Sequence, residues 1–145
     1  MDQRGKTAFL ALIMVQAFHS LEEYAFRLYD VFAPARYLSG LVSHDRSTGF
    51  IIINAGILVF GLLCYLGPVR NDGASARILV WLWIVIEIAN GIGHAAIAIA
   101  RWHYFPGAAT SPFLLIVAVF LARHSLFPRA SKLPRAETKS PQNSK

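Results

Sequence analysis

The sequence predicts an all-α membrane protein, a four-helix transmembrane bundle with both termini in the cytoplasm. Three observations carry that prediction. Of the 145 residues, 55% are hydrophobic and only 15% charged, against about 25% charged in ordinary soluble domains. Four apolar stretches meet or approach the roughly 20 residues that a spanning helix needs. The basic residues gather at the ends of those stretches and in the C-terminal segment, where topology signals lie, and do not form a phosphate-binding face. A net charge of +6 therefore does not mark a nucleic-acid-binding protein. The mean hydropathy of +0.46 agrees with the membrane assignment, and the length allows one domain.

The first span is expected over about 7–26, behind Arg4 and Lys6. It has the charged start and apolar core of a signal peptide but no small-residue cleavage site, so it reads as a retained span. The second is expected over 48–66, with Gly67-Pro68 and Asn71-Asp72-Gly73 punctuating the turn that follows. The third covers 78–100. The fourth covers 112–127, with Pro112 in its first turn, where a missing N–H costs nothing. The membrane domain thus occupies 1–127, and 128–145 reads as a disordered basic cytoplasmic tail. Cys64 is the sole cysteine, which excludes an intramolecular disulfide and a Cys-based zinc site.

An even number of spans puts both termini on one side. Arg4, Lys6, Arg70, Arg77, Arg123, Arg129, Lys132, Arg135, Lys139 and Lys145 share that side, while Arg27, Arg36, Arg46 and Arg101 lie opposite. The excess of positive charge assigns the first group to the cytoplasm.

Ionisable residues inside these spans are the most informative feature, because each is costly in hydrocarbon unless paired, neutralised or bound. His19, Glu22 and Glu23 end the first span, and Glu87, Asn90 and His94 lie within the third. Offsets of three, four and seven place each set on one helical face. Gln16 and Arg27 fall near the sector of the first set, and Gly91 and Ala98 flank the second, small enough to let helices approach. Asn54 of the second span aligns with Gly61 and Tyr65. At about 1.5 Å of rise per residue, His19 to Glu23 lie roughly 17–23 Å deep and Glu87 to His94 roughly 14–24 Å deep from the cytoplasmic edge. Both sets therefore share one layer in the outer half of the membrane.

Charge then constrains what the layer holds. Three carboxylates with only Arg27 nearby cannot all stay ionised in a low-dielectric site, so either protons are shared or a cation is bound. His and Glu at helical spacings on facing helices are the ligand pattern of bundle-core metal sites. The expected ligands are His19, Glu23, Glu87 and His94, with Glu22 as the catalytic carboxylate, either a general base or a support behind the ligands. Asn54, Asn90, Arg27 and Tyr104 would orient ligands or substrate. A carboxylate-rich, imidazole-containing set suits Zn, Fe or Mn. The loop over 104–110 lies on the outer side above the site, and its Pro106-Gly107 turn is placed to cap a cavity.

The string His19-Ser-Leu-Glu-Glu23 at the end of a first span resembles the signature of the HXXEE family of small bacterial membrane proteins. Asn90, His94 and the segment Tyr104-Phe-Pro-Gly-Ala-Ala-Thr110 are similar to the rest of its pattern, so the resemblance runs from about Ala17 to Thr110. It implies a multi-pass protein of the bacterial cytoplasmic membrane and supplies no mechanism. A shorter resemblance links Glu22-Glu23-Tyr24-Ala25-Phe26-Arg27 to E-E-x-x-x-R, the first motif of intramembrane CAAX-type prenyl endopeptidases. That family's glutamate activates water, but its F-x-x-x-H and H-x-x-x-N motifs are absent here, and Asn90 and His94 come in the opposite order.

Three functions follow. One is a membrane-embedded metalloenzyme, hydrolytic or oxidative, acting on a lipid or isoprenoid-like substrate that enters from the bilayer. Another is a metal-free acid/base site of the isomerase type. The last is a binding or partner subunit with a structural polar network, alone or as a homo-oligomer.

Overall fold

The computed structural model describes residues 1–126. The expected tail and the last residue of the fourth expected span lie outside the described residues. Within them every regular element is helical.

Helix α1 runs over Gln3–Ala25. Asp2 caps it by accepting the Gly5 N–H at 2.8 Å, which satisfies one of the donors a helix start leaves open. Its buried positions, among them Phe9, Leu12, Ile13, Gln16, His19 and Glu23, recur every three or four residues. One stripe thus faces inward and changes from apolar to polar toward the C-terminal end. The helix stops at Ala25, and Arg27 takes a left-handed backbone conformation, φ 57°.

Two further helices follow that the span pattern did not indicate, α2 over Leu28–Val31 and α3 over Ala33–Val42. Pro34 sits in the first turn of α3, where its fixed φ favours the helix and its missing N–H is not needed. α3 packs along α4, which covers Arg46–Cys64. Asp45 caps α4 by accepting the Ser47 and Thr48 N–H groups at 3.3 and 3.0 Å and the Thr48 hydroxyl at 2.6 Å.

The expected turn at Gly67-Pro68 needs correction. Both residues lie inside a π-helical turn, Tyr65–Val69, that extends α4. There the Arg70 N–H reaches back five residues to the Tyr65 carbonyl at 2.8 Å. The wider turn tolerates a proline that would break an α-helix through its ring and missing donor. The chain reverses only beyond Val69, before α5, Ala76–Arg101. α6 follows over Ser111–Leu126 with Pro112 in its first turn.

α1, α5 and α6 meet in a core that includes Phe9, Leu12, Val80, Ile84, Leu114 and Leu121. Gly91 is where α5 and α6 touch, since a Cβ there would lie 2.8 Å from Leu115 Cγ. A second cluster of Leu28, Tyr29, Phe50 and Phe105 closes the end near α2. At the other end Lys6 pairs with Asp72 at 2.6 Å and donates to the Arg70 carbonyl at 2.8 Å. This ties the start of α1 to the turn before α5.

Within the described residues all four expected spans are helical, and two have membrane-crossing length and apolarity. α4 with its π-helical extension has 24 residues and mean hydropathy 2.3, and α5 has 26 residues and 1.7. Only 22% and 28% of their apolar windows are buried, which leaves Ile52, Val59, Leu63, Val85 and Ile99 facing outward. α1 mixes polar residues into its stripe, and α6 has 16 residues within the described part.

Candidate metal centre

The polar end of the α1 stripe places His19 and Glu23 one turn apart, and α5 brings His94 to them. His94 Nε2 lies 3.0 Å and His19 Nε2 3.4 Å from the same Glu23 oxygen. One ligand atom from each residue falls within 4.8 Å of the others, and all three residues are buried. The imidazoles stand perpendicular, with centroids 4.8 Å apart.

Hydrogen bonding at the other ring nitrogens selects the tautomer that each neutral histidine adopts. His94 Nδ1 lies 2.5 Å from the Pro106 carbonyl. A carbonyl only accepts, so Nδ1 carries the proton. His19 Nδ1 lies 2.7 Å from the Thr110 hydroxyl. That hydroxyl gives its single proton to Glu22 at 2.5 Å, so it accepts from His19. In the neutral rings both Nε2 atoms then carry lone pairs beside one carboxylate oxygen, and among the described residues His19 Nε2 has no hydrogen-bond partner. Three electron-rich atoms converging in a buried space require added protons or a cation. Two of the three ligand separations, 3.0 and 3.4 Å, match the roughly 3.3 Å edges of a tetrahedral site with bonds of ~2.0–2.1 Å. A ligating histidine that donates its far N–H to a carbonyl or another oxygen is the usual support for such a site.

Glu22 faces the other way and holds the 104–110 loop. Its Oε1 accepts the Gly107 and Ala109 N–H groups, each at 3.0 Å, and the Tyr104 hydroxyl. Its Oε2 accepts the Thr110 N–H at 2.8 Å and the Thr110 hydroxyl. Burial pushes the Tyr104 phenol up from its ordinary range, and its bond to Glu22 adds to that shift. Gly107 completes the closure with φ +89°, in a left-handed region that favours glycine. A Cβ there would lie 2.5 Å from His94 Nδ1 and 2.8 Å from His19 Cε1.

The remaining expected residues separate. Arg27 is turned away by its left-handed backbone, and its guanidinium pairs with Asp30 at 2.8 Å with 70% of the side chain exposed. It supplies no charge to the centre. Glu87 is 1% exposed with Oε2 unpartnered, and it falls outside the three-residue group. Asn54 and Asn90 join a hydrogen-bonded chain across three helices. Asn90 donates to Gln16 at 3.5 Å, Gln16 to Ser20 at 3.2 Å, and Ser20 to Asn54 at 2.7 Å. A cavity of about 350 Å³ lies between α1, α3, α4 and α5, with Gln16, Glu23, Asn54, Glu87, Asn90 and His94 among its polar lining. Sequence reasoning missed the carbonyl of Pro106, the hydroxyls of Thr110 and Ser20, and the fit of Gly107. Only the Pro-Gly turn hinted at them.

A family model described as "Protein of unknown function with HXXEE motif" matches residues 10–122. No curated protein and no solved structure matches the chain. The matched stretch contains His19, Glu22, Glu23, His94 and the whole 104–110 loop, and on the extent of that match the chain belongs to the HXXEE family.

Proposed function

We propose that this HXXEE protein crosses the bacterial cytoplasmic membrane four times and binds one divalent cation through His19, Glu23 and His94, as a metal-dependent enzyme. The observation that carries the proposal is the convergence of two Nε2 atoms, each ring held through its Nδ1, on the Glu23 carboxylate. A structural ion pair would not need both imidazoles anchored through their far nitrogens. α4 and α5 have the length and apolarity of spans. α1, at 23 residues, is roughly 34 Å long, enough to cross beside them, and α6 packs against α1 and α5. Both termini then lie in the cytoplasm and the cation site in the outer half of the bilayer.

Two histidines and one carboxylate with positions left open are the donor set of hydrolytic zinc sites and of non-haem iron oxygenases. Zn, Fe and Mn are the candidate ions. Glu23 and His94 also line the cavity, so an ion held by them would supply its Lewis acidity beside the space where a membrane-soluble substrate would lie. Glu22 is saturated by five donors. Its role is to position Thr110, and through it His19, while the unpartnered Glu87 is the carboxyl free to exchange a proton in the cavity.

Metal analysis of the protein purified in detergent tests the proposal. About one Zn, Fe or Mn per chain is expected in the wild type, and essentially none in His19→Ala or Glu23→Gln. A wild type without stoichiometric metal would overturn it and favour a metal-free acid/base pair, His94 with Glu23 at 3.0 Å.

A further inference from the structure

We propose that the cavity binds a neutral amphiphile with a single hydrocarbon chain and a hydroxyl or carbonyl head, which enters sideways between α4 and α5. The substrate class rests on the membrane reading above, while binding in the cavity does not require the cation. Three features select this ligand.

The first is access. α5 packs against the π-helical turn and touches the adjoining end of α4 where Trp83 stacks on Phe60 and abuts Gly61, and further along the cavity lies between the two helices as a wedge. Ile57, Phe60, Leu82 and Ile86 line the cavity and are also 37–50% exposed, which marks an opening toward the apolar exterior. The second is size. About 350 Å³ is near the lower end of the roughly 300–1,000 Å³ of ligand pockets, room for one chain and not for a two-chain phospholipid.

The third is polarity. Apolar side chains form most of the lining, and the polar groups gather around Gln16, Asn54, Glu87 and Asn90. The three amides both donate and accept, which suits a hydroxyl or carbonyl. Glu87 Oε2 is buried without a partner and needs one from whatever fills the space. Among the described residues no Lys or Arg lines the cavity, while Glu23 and Glu87 do. With the cation site empty an anionic head meets no positive side chain in this lining, and an ammonium, which only donates, cannot use the N–H groups of the three amides.

The test is photolabelling of the full-length protein in lipid nanodiscs with a diazirine-bearing long-chain alcohol, followed by mass-spectrometric mapping. Adducts are expected on Ile53, Ile57, Leu82 or Ile86, competed by unlabelled alcohol. Ile57→Trp and Leu82→Trp, which fill the wedge, should abolish them, and Leu63→Trp on the outer face should not. Glu87→Ala should weaken labelling about five- to tenfold, the worth of one buried hydrogen bond. Labelling that spreads over Val59, Leu63 and Val85 without competition would overturn the proposal. So would stronger competition by the matching carboxylate or ammonium than by the alcohol. His19→Ala separates the two proposals, because His19 is fully buried and does not line the cavity. Saturable labelling of His19→Ala is therefore expected, and a wild type that labels saturably but carries no metal would overturn the cation site alone.

Discussion

Replacing Glu22 by Gln should release the 104–110 loop while leaving the helices in place. The two carboxylate oxygens accept five hydrogen bonds, three on Oε1 and two on Oε2. A glutamine keeps the volume but has one acceptor oxygen. Whichever way its amide faces, the NH₂ group meets at least two donors. Bonds to a charged acceptor contribute about 1.5–3 kcal/mol and neutral ones about 1 kcal/mol. Glu22 is partly exposed, so the lower figure applies, and two lost bonds amount to about 2 kcal/mol. That corresponds to roughly thirtyfold more frequent loop opening. Hydrogen exchange followed by mass spectrometry reads it at the Gly107, Ala109 and Thr110 amides. Exchange there should accelerate about thirtyfold while amides in the middle of α5 stay protected. Unchanged exchange at those three amides would refute Glu22 as the anchor of the loop.

Gly107→Ala should be worse than its single methyl suggests. It adds the left-handed backbone penalty of about 1–2 kcal/mol and drives a Cβ against both imidazoles, so metal affinity should fall at least tenfold in a chelator competition assay. Retained affinity would show that the loop does not press on the centre. The Tyr104 phenol should stay protonated above the ordinary tyrosine range, and Glu22→Gln should bring it back down. The difference in ultraviolet titration between each protein and its Tyr104→Phe counterpart checks this, and identical curves would contradict it. Asp72 is held below the usual carboxylate range by Lys6 first and then by the Met1 amino group. A depressed carboxyl contributes stability that is complete above about pH 4 and lost as pH falls through its lowered value. Asp72→Asn should therefore lower Tm at pH 7 and have little effect near pH 2, and an equal effect at both would refute the pairing.

Helical spacing made most of the centre legible. His19 and Glu23 are four residues apart on a stripe whose apolar half continues into the core, so their burial followed from the register of α1. Glu87 and His94 share a face by the same rule. Spacing on one helix does not say which residue reaches a neighbour, however, and only His94 joins the α1 pair. Arg27 shows the limit from another side, since helical counting holds only while the helix lasts and α1 ends two residues earlier. The helices over 28–42 escaped because the hydrophobic length that marks a span cannot reveal short amphipathic segments. Pro34 ahead of the Tyr37, Leu38, Leu41 and Val42 face was the available signal. Gly67-Pro68 read as a turn because an α-helix forbids such a proline, and the π-helical geometry that admits it has no strong sequence mark. The supports of the two imidazoles come largely from backbone and hydroxyl groups of the 104–110 loop, and their positions depend on where α5 ends.

X-ray absorption at the edge of the bound metal tests the central claim most directly. If His19, Glu23 and His94 hold the ion, the first shell contains nitrogen and oxygen donors at ~2.0–2.1 Å, with the outer-shell scattering of two imidazoles. His94→Ala should remove one of the two. A bound metal with no imidazole in its shell, or with a shell unchanged in His94→Ala, would contradict the site.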